Sequence, residues 1–404
     1  MTTIKIGISM KYKLATETWN KKEYEAIEKV VKSGNFTMGK YVKKFEEKCA
    51  KKFNSKYCVM VNSGSSANLL MIAALFYKKN KPLKFGDEVI VPAVSWSTTY
   101  APLQQYGLKV KFVDIDIDTL NLCTKSLKKA ITKKTKLIFA VNLLGNPNNF
   151  MAIKELIKNK NIYLLEDNCE SLGAELDNQY AGNYGLMGSH SCFFSHHIST
   201  MEGGFILTKS KELYHILLSL RAHGWTRNLP KNNTLTGIKS ENDFDESFKF
   251  ILPGYNLRPL EMSGAIGVEQ LDKVKSIVQS RRKNASLFRE VAEKFTWFNI
   301  QEEVGLSSWF GFAIVLKKHV NRDDLINFLN RNGIETRPIV SGNFTKNKKL
   351  LSYFNFSIHG NLENSKYIDK HGFFIGNSQE DLLKEIKSLE KVLLRFEKKY
   401  IIQS

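Results

Sequence analysis

The sequence has 404 residues, of which 43% are hydrophobic, and a chain of this length and composition can bury large cores in two or three domains. No apolar run is long enough to span a bilayer, and Met1–Lys13 has no apolar stretch behind its lysines, so we expect neither a membrane anchor nor a signal peptide. The five cysteines are irregularly spaced without a C-x-x-C pair, which indicates reduced thiols in a cytoplasmic protein and no zinc or iron–sulfur site.

The net charge of +20 raises the question of nucleic-acid binding. The lysines are spread over predicted helix faces and loops, and the sequence has no aromatic-interleaved basic motif, zinc finger or helix-turn-helix pattern. A solvated lysine-rich surface explains the charge more simply, and we expect no nucleic-acid partner. A positive field would also attract an anionic substrate such as a nucleotide-sugar.

The N-terminal half of the chain predicts alternating helices and strands. Two amphipathic helices come first, over Glu17–Ser33 and Gly39–Lys52, and an apolar helix follows at Ser65–Lys78. Strands that are apolar on both faces and separated by helices predict a parallel sheet covered on both sides. The predicted strands are Tyr57–Asn62, Glu88–Pro92, Lys109–Asp114, Leu137–Asn142, Ile162–Asp167, His190–Phe194 and Phe205–Thr208.

The remaining chain predicts a change of architecture. Asn228–Glu246 is polar without periodicity, which indicates a long surface loop, and an active-site cover is one interpretation of it. We expect a large domain over residues 1–274 and a smaller α+β domain over residues 275–404. The segments that predict this arrangement are the helices Lys209–Ala222, Met262–Ala292, Arg322–Asn332 and Ser378–Phe396 (with a capping box at Ser378 and Asp381), the strand Trp309–Leu316 and the extended segment Gly333–Arg337.

Polar side chains follow several predicted strands, where ligands bind in such sheets. Gly64 and Ser65 begin a helix after the first strand, which suits a phosphate but equally an ordinary capped helix start. Asp167 ends a hydrophobic strand and could pair with a pyridinium nitrogen or cap a helix. Trp96 could stack on a flat ring or pack in the core. Ser191 could meet the same phosphate as Ser65, or bond to backbone within the sheet.

Two adjacent histidines lie on a polar turn just after Ser191. His196 and His197 precede a Glu-Gly-Gly sequence that leads into the next strand. Imidazoles at a strand end are well placed for proton transfer, and the alternative is a polar loop with two surface histidines.

The order of these features resembles the fold type I pyridoxal-phosphate enzymes, and more narrowly the DegT-type nucleotide-sugar aminotransferase family. The resemblance covers nearly the whole chain and includes Ser33–Gly39, Pro253–Asn256 and Gly333–Arg337. It implies an α/β, aspartate-aminotransferase-like large domain with a mostly parallel sheet of about seven strands, and a smaller C-terminal domain. It further implies pyridoxal 5′-phosphate or pyridoxamine 5′-phosphate as cofactor and a homodimer with shared active sites.

One departure from the family separates this chain from its aminotransferases. The position of their cofactor-binding lysine is occupied by His196, and no lysine occurs between Leu186 and Thr208. Imidazole cannot form a Schiff base, so the cofactor would be held non-covalently, but it can still move a proton. The histidine resembles the family's 3-dehydratase branch. A related branch carries an iron–sulfur cluster on C-terminal cysteines, and because no cysteine follows Cys192 we expect no such cluster.

The resemblance implies a dehydratase that removes the C3 hydroxyl of a nucleotide-linked 4-keto-6-deoxy sugar, for 3,6-dideoxy sugars such as colitose. A GDP-linked sugar is the first expectation, and the sequence leaves open GDP, CDP or dTDP as the nucleotide and a hexose or a heptose as the sugar. L-Glutamate would regenerate the amine form of the cofactor. Register favours His196 over His197 as the proton-transfer group. The alternatives are a nucleotide-sugar aminotransferase and a non-catalytic sugar-nucleotide-binding paralogue. The resemblance implies that Gly64, Ser65 and Ser191 contact the cofactor phosphate, that Trp96 and Glu170 lie near its ring, and that Asp167 pairs with the ring nitrogen. It implies that Asn256 reaches the phosphate in the neighbouring subunit. It also implies that His223 and Arg337 contact the substrate; the alternatives are that His223 is a structured loop histidine and that Arg337 forms a surface ion pair.

Overall fold

The computed structural model describes residues 12–402, so the signal-peptide expectation falls almost wholly outside the described residues. The strands are β1 (Tyr57–Val61), β2 (Glu88–Pro92), β3 (Lys109–Val113), β4 (Thr135–Val141), β5 (Tyr163–Asp167), β6 (Glu175–Leu176), β7 (Gln179–Tyr180), β8 (Met187–Ser191), β9 (Gly204–Thr208), β10 (Asn232–Asn233), β11 (Gly237–Ile238), β12 (Phe298–Ile300), β13 (Gly311–Leu316), β14 (Thr336–Arg337), β15 (Phe356–Ile358) and β16 (Gly372–Gly376).

The helices fill most of the chain between these strands. They are α1 (Lys21–Ser33), α2 (Lys40–Lys52), α3 (Gly64–Phe76), α4 (Ser97–Gln105), α5 (Thr124–Ala130), α6 (Phe150–Ile157), α7 (Lys211–Arg221), α8 (Asp243–Ser247), α9 (Glu261–Ala292), α10 (Arg322–Arg331), α11 (Lys348–Leu351), α12 (Glu363–His371) and α13 (Leu383–Tyr400). Among the described residues, no helix is both long enough and apolar enough to cross a bilayer.

An eight-stranded sheet forms the centre of the fold, in the order β1-β9-β8-β5-β4-β2-β3-β15. Only β9 among these strands runs against its neighbours. Apolar residues of α3, α4 and α7 pack on one face, and those of α5 and α6 pack on the other. Strands buried on both faces read as continuous apolar runs, which is why β2 and β4 were predictable. The predicted fold type I α/β architecture is confirmed.

A second sheet is built from the C-terminal part of the chain. Its four strands pair antiparallel in the order β12-β13-β16-β14, and α10 and α13 pack on its apolar face around Phe312 and Phe396. The predicted boundary between residues 274 and 275 falls inside the continuous helix α9. Strand β15 from this part of the chain pairs with β3 in the large sheet. The division at 274/275 stays a prediction.

Three local predictions were wrong. The strand expected at His190–Phe194 lies earlier, at β8, because the chain leaves the sheet after Ser191 and enters a turn. The final helix begins at Leu383 and not at Ser378, since the Ser378 hydroxyl accepts from the Glu380 N–H in a preceding turn. The loop predicted at Asn228–Glu246 contains the hairpin β10-β11 and the start of α8.

Candidate active site

A cavity of about 690 Å³ opens at the carboxyl ends of the parallel strands. Side chains that follow β1, β2, β4, β5 and β8 line one side, and residues of the C-terminal part line the other. This is the edge at which open α/β sheets bind ligands. Of the predicted site residues, the cavity is lined by Gly64, Ser65, Trp96, Asp167, Glu170, Ser191, His196 and Arg337.

The turn from β1 into α3 forms one end of this cavity. The Ser63 side chain caps the helix by accepting from the Ser66 N–H at 3.0 Å. A Cβ built on Gly64 would lie 2.8 Å from Ser191 Cβ, so only glycine lets the helix start approach β8 this closely. Ser65 donates to Thr98 Oγ1 at 2.8 Å. The result is a helix N-terminus between two serine hydroxyls, the arrangement that suits a phosphate group.

Asp167 ends β5, and its buried carboxyl group has different hydrogen-bond donors at its two oxygens. Oδ2 accepts from Thr99 Oγ1 at 2.7 Å and from Asn68 Nδ2 at 2.8 Å. Oδ1 accepts from the Cys169 N–H at 3.2 Å. Asn68 is itself fixed, because its Oδ1 accepts from Ser189 Oγ at 2.6 Å. The carboxylate is therefore held rigidly at the cavity wall, where a cationic ring nitrogen would find a preorganised partner.

Trp96 and Glu170 lie at the sides of the cavity. The indole remains 58% exposed, so its position is not that of a core tryptophan. Glu170 Oε2 accepts from the backbone N–H of Leu144 at 2.9 Å. Burial, and secondarily repulsion from Asp167, raises the pKa of Glu170 to about 7. Glu170 can therefore act as a proton donor or an acceptor near neutral pH.

The two histidines face different surroundings. His196 lines the cavity, and its ring meets Phe310 edge-on with centroids 5.1 Å apart. His197 is turned inward, is almost fully buried, and bonds through Nε2 to the Ser308 carbonyl at 3.0 Å. Burial and then the charge of Arg281 lower the pKa of His196 to about 4, so its imidazole is neutral at physiological pH and has a nitrogen lone pair that can accept a proton. The structure thus brings His196, and not His197, into the cavity.

The three predicted substrate and partner-subunit residues are placed differently from one another. Arg337, on β14, is exposed, lines the cavity and makes no ion pair within the described residues. Asn256 is exposed outside this chain's cavity, where its Oδ1 accepts from Arg258 Nε at 3.0 Å. His223 also lies outside it and packs on Trp225 with centroids 5.0 Å apart. Within a single chain, His223 therefore does not reach the cavity in which the substrate is expected to bind.

Comparison with known proteins agrees with this arrangement. The model of the DegT/DnrJ/EryC1/StrS aminotransferase family matches residues 17–371. The chain belongs to this family. The resemblance drawn from the sequence motifs is thereby confirmed.

Similar members of the family are matched over nearly their whole length. GDP-4-keto-6-deoxy-D-mannose 3-dehydratase of Escherichia coli O55:H7 is 59% identical over 384 residues, which are 95% of this chain and 99% of that relative. Two crystal structures of GDP-4-keto-6-deoxymannose-3-dehydratase, one of a His-to-Asn variant with bound GDP-perosamine and one with a trapped PLP-glutamate geminal diamine, each give a TM-score of 0.94 at 59% identity and cover 95% of this chain and 100% of theirs.

This family member also has site residues that sequence reasoning missed. Asn68 and Thr99 bond to Asp167, while Glu202 and Phe310 line the cavity with it. Asn68 had a detectable signal, since it is a buried amide on the otherwise apolar helix α3. Phe310 had none, because an aromatic residue before a strand is ordinarily part of a core.

Proposed function

We propose that this protein is a pyridoxal-phosphate-dependent 3-dehydratase of GDP-4-keto-6-deoxy sugars. The observation that carries the proposal is the place of His196 at the cavity, together with the lack of any lysine among the described residues that line it. An aminotransferase of this family needs an amine at this place, whereas a dehydratase needs only a base. The names of the relatives matched over nearly the full chain support the same reaction.

The residues at the cavity fit the cofactor. Ser65 and Ser191 would hold the phosphate at the N-terminus of α3, with Gly64 leaving room between them. Asp167 would keep the pyridine nitrogen protonated, and the exposed indole of Trp96 would cover the ring. When bound, the cofactor would supply an amine that condenses with the C4 ketone and a ring that takes up electrons. Because His196 cannot bond covalently, binding would be reversible.

The protein's own groups would supply the proton transfers and the orientation. Neutral His196 would accept a proton at its free nitrogen and return it as the C3 hydroxyl departs as water. Asp167 would keep its orientation towards the ring nitrogen, since Asn68 and Thr99 both donate to it. Arg337, which lines the cavity and has no ion-pair partner in the described part of the chain, would bind the carboxylate of L-glutamate or the diphosphate of the sugar nucleotide. The wall of Phe310 beside His196 would exclude water from the base.

A homodimer with shared active sites is part of the proposal. Asn256 does not line its own cavity and lies in a stretch with several exposed apolar side chains, as expected of a surface that a partner subunit covers. These side chains are Ile238, Phe244, Phe248, Phe250 and Leu260. Asn256, and His223 from the adjacent loop, would then contribute to the partner's cavity. We also propose a cytoplasmic location, in keeping with the free cysteines.

The test is incubation with pyridoxal phosphate, L-glutamate and GDP-4-keto-6-deoxymannose, followed by assays of ammonia and of the 3-deoxy sugar. We expect both products from the wild type, and His196→Asn should lose at least about 100-fold in rate. The matched control is His197→Asn, which alters the neighbouring imidazole outside the cavity and should retain most of the rate.

The other candidate functions give different results in the same assay. An amino sugar without ammonia would identify an aminotransferase. Failure to bind pyridoxal phosphate would indicate a non-catalytic sugar-nucleotide-binding protein. Equal losses in the two histidine variants would contradict the assignment of His196. CDP- and dTDP-linked keto sugars, run in parallel, test the choice of GDP.

A further inference from the structure

Within residues 12–402, one cationic side chain near the histidine turn lies buried without a counter-ion. Arg281, on α9, is only 1% exposed. Its Nη1 donates to the carbonyls of Trp309 and Phe310 at 3.4 and 3.0 Å, and its Nε has no hydrogen-bond partner among the described residues. No described carboxylate pairs with it, and burial alone lowers the pKa of its guanidinium to about 10. A buried charge without a partner is costly to the fold, so it calls for a specific reason.

The chain segment that Arg281 binds is the one that contacts both histidines. Phe310 meets the rings of His196 and His197 at 5.1 and 5.8 Å. The Ser308 carbonyl, which can only accept, receives the Nε2–H of His197 and so sets the tautomer of that ring. Arg281 is therefore linked to the histidine turn both through the segment Ser308–Phe310 and through its charge.

We propose that Arg281 is a positioning residue for His196: by binding the carbonyls of Trp309 and Phe310 it holds the wall against which the imidazole packs, and it places a positive charge behind that wall. The proposal rests on the role of His196 in the proposed function. In that reaction His196 must accept a proton and later release it, and release is easier when the protonated imidazole is more acidic. A positive charge behind the ring makes the imidazolium a better donor to the departing hydroxyl, and the ring returns to neutrality when water leaves.

Several other charged and titratable groups surround His196. His197 lies next to His196 on the same turn. Arg282 lies near it on α9, but it donates to the Ser307 carbonyl and not to the imidazole ring. Across the cavity are the carboxyl groups of Asp167, Glu170 and Glu202 and the guanidinium of Arg337. None of these forms an ion pair with His196. After burial, Arg281 is the group that lowers the pKa of His196.

The experiment follows the titration of His196 by NMR in the full-length protein with ring-labelled histidine, with and without pyridoxal phosphate. The His196 signal is assigned with His196→Asn. In the wild type His196 should remain neutral at pH 5.5. Arg281→Gln should raise its midpoint by about one pH unit or more, with a parallel upward shift of the acid limb of the dehydration rate, while Arg281→Lys should stay near the wild type because it keeps the charge.

Two outcomes would overturn the proposal. One is a titration midpoint of His196 near pH 6.5 in the wild type. This measurement does not depend on whether any variant folds. The other is a folded Arg281→Gln protein, shown by an unchanged circular dichroism spectrum, in which His196 titrates as in the wild type. Because the titration requires no sugar substrate, it gives an answer even if the enzyme releases no ammonia from GDP-4-keto-6-deoxymannose, which would instead refute the proposed reaction.

Discussion

Substitution of Gly64 by alanine tests the phosphate end of the cavity. The new Cβ would lie 2.8 Å from both Cys169 Sγ and Ser191 Cβ, and 3.2 Å from Ser191 Cα. Carbon atoms in contact normally stay about 3.5–4.0 Å apart, so the helix start and β8 must separate. Such overpacking costs about 1–3 kcal/mol. Because binding of the phosphate requires the helix start and Ser191 to return to their original separation, up to this amount is lost from the binding free energy, and we expect the Kd for pyridoxal phosphate to rise by up to about 150-fold.

Titration of the apoprotein with pyridoxal phosphate, followed by tryptophan fluorescence, measures this Kd, because Trp96 lines the same cavity. The matched control is Gly86→Ala, where φ is +82° and no atom lies within 4 Å of the added Cβ. Alanine there costs about 1–2 kcal/mol of backbone strain away from the cavity, so Tm should fall while the Kd stays unchanged. Equal affinities in both variants would refute the placement of the phosphate beside Gly64.

Three further outcomes are expected. Mixing the inactive His196→Asn and Asn256→Ala proteins should restore about a quarter of wild-type activity if each site takes Asn256 from the partner, and none if sites are not shared. Burial lowers the pKa of His190 to about 3 in the folded state, so the unfolded chain binds the proton first as the pH falls. The free energy of unfolding should therefore decrease by up to about 1.4 kcal/mol per pH unit below pH 6.5. Denaturant titrations at several pH values measure this slope, which should be smaller in His190→Asn. Arg337→Ala should raise the KM for glutamate or sugar nucleotide at least about tenfold with unchanged Tm, and an unchanged KM for both would remove Arg337 from the site.

The sequence predicted what depends on local pattern. Apolar runs placed the strands of the large sheet, and the residues that follow them placed Asp167 and Ser191 at one edge. What escaped prediction depends on contacts between distant segments. Thr99 looks like an ordinary helical residue until the fold brings it to Asp167, and Arg281 looks like a surface cation on a long helix until Trp309 and Phe310 cover it.

The same distinction explains the errors in element boundaries. The helix start predicted at Ser378 was wrong because the Ser378 hydroxyl stabilises a turn that precedes the helix. The helix itself begins after Leu382. Strand β15 is three residues long and has too little pattern of its own to be recognised. Its conformation is fixed by pairing with β3, which no local window contains.

That late strand has a consequence for synthesis of the protein on the ribosome. Strand β3 leaves the ribosome with one edge unpaired, and its partner β15 follows only after about 240 further residues, which takes about 12–50 s at the usual rate of translation. During this interval the nascent chain exposes a strand edge that can pair with another chain. We therefore expect chains truncated before Phe356 to aggregate and to require chaperones, although all of the proposed cofactor-binding residues would already have been made.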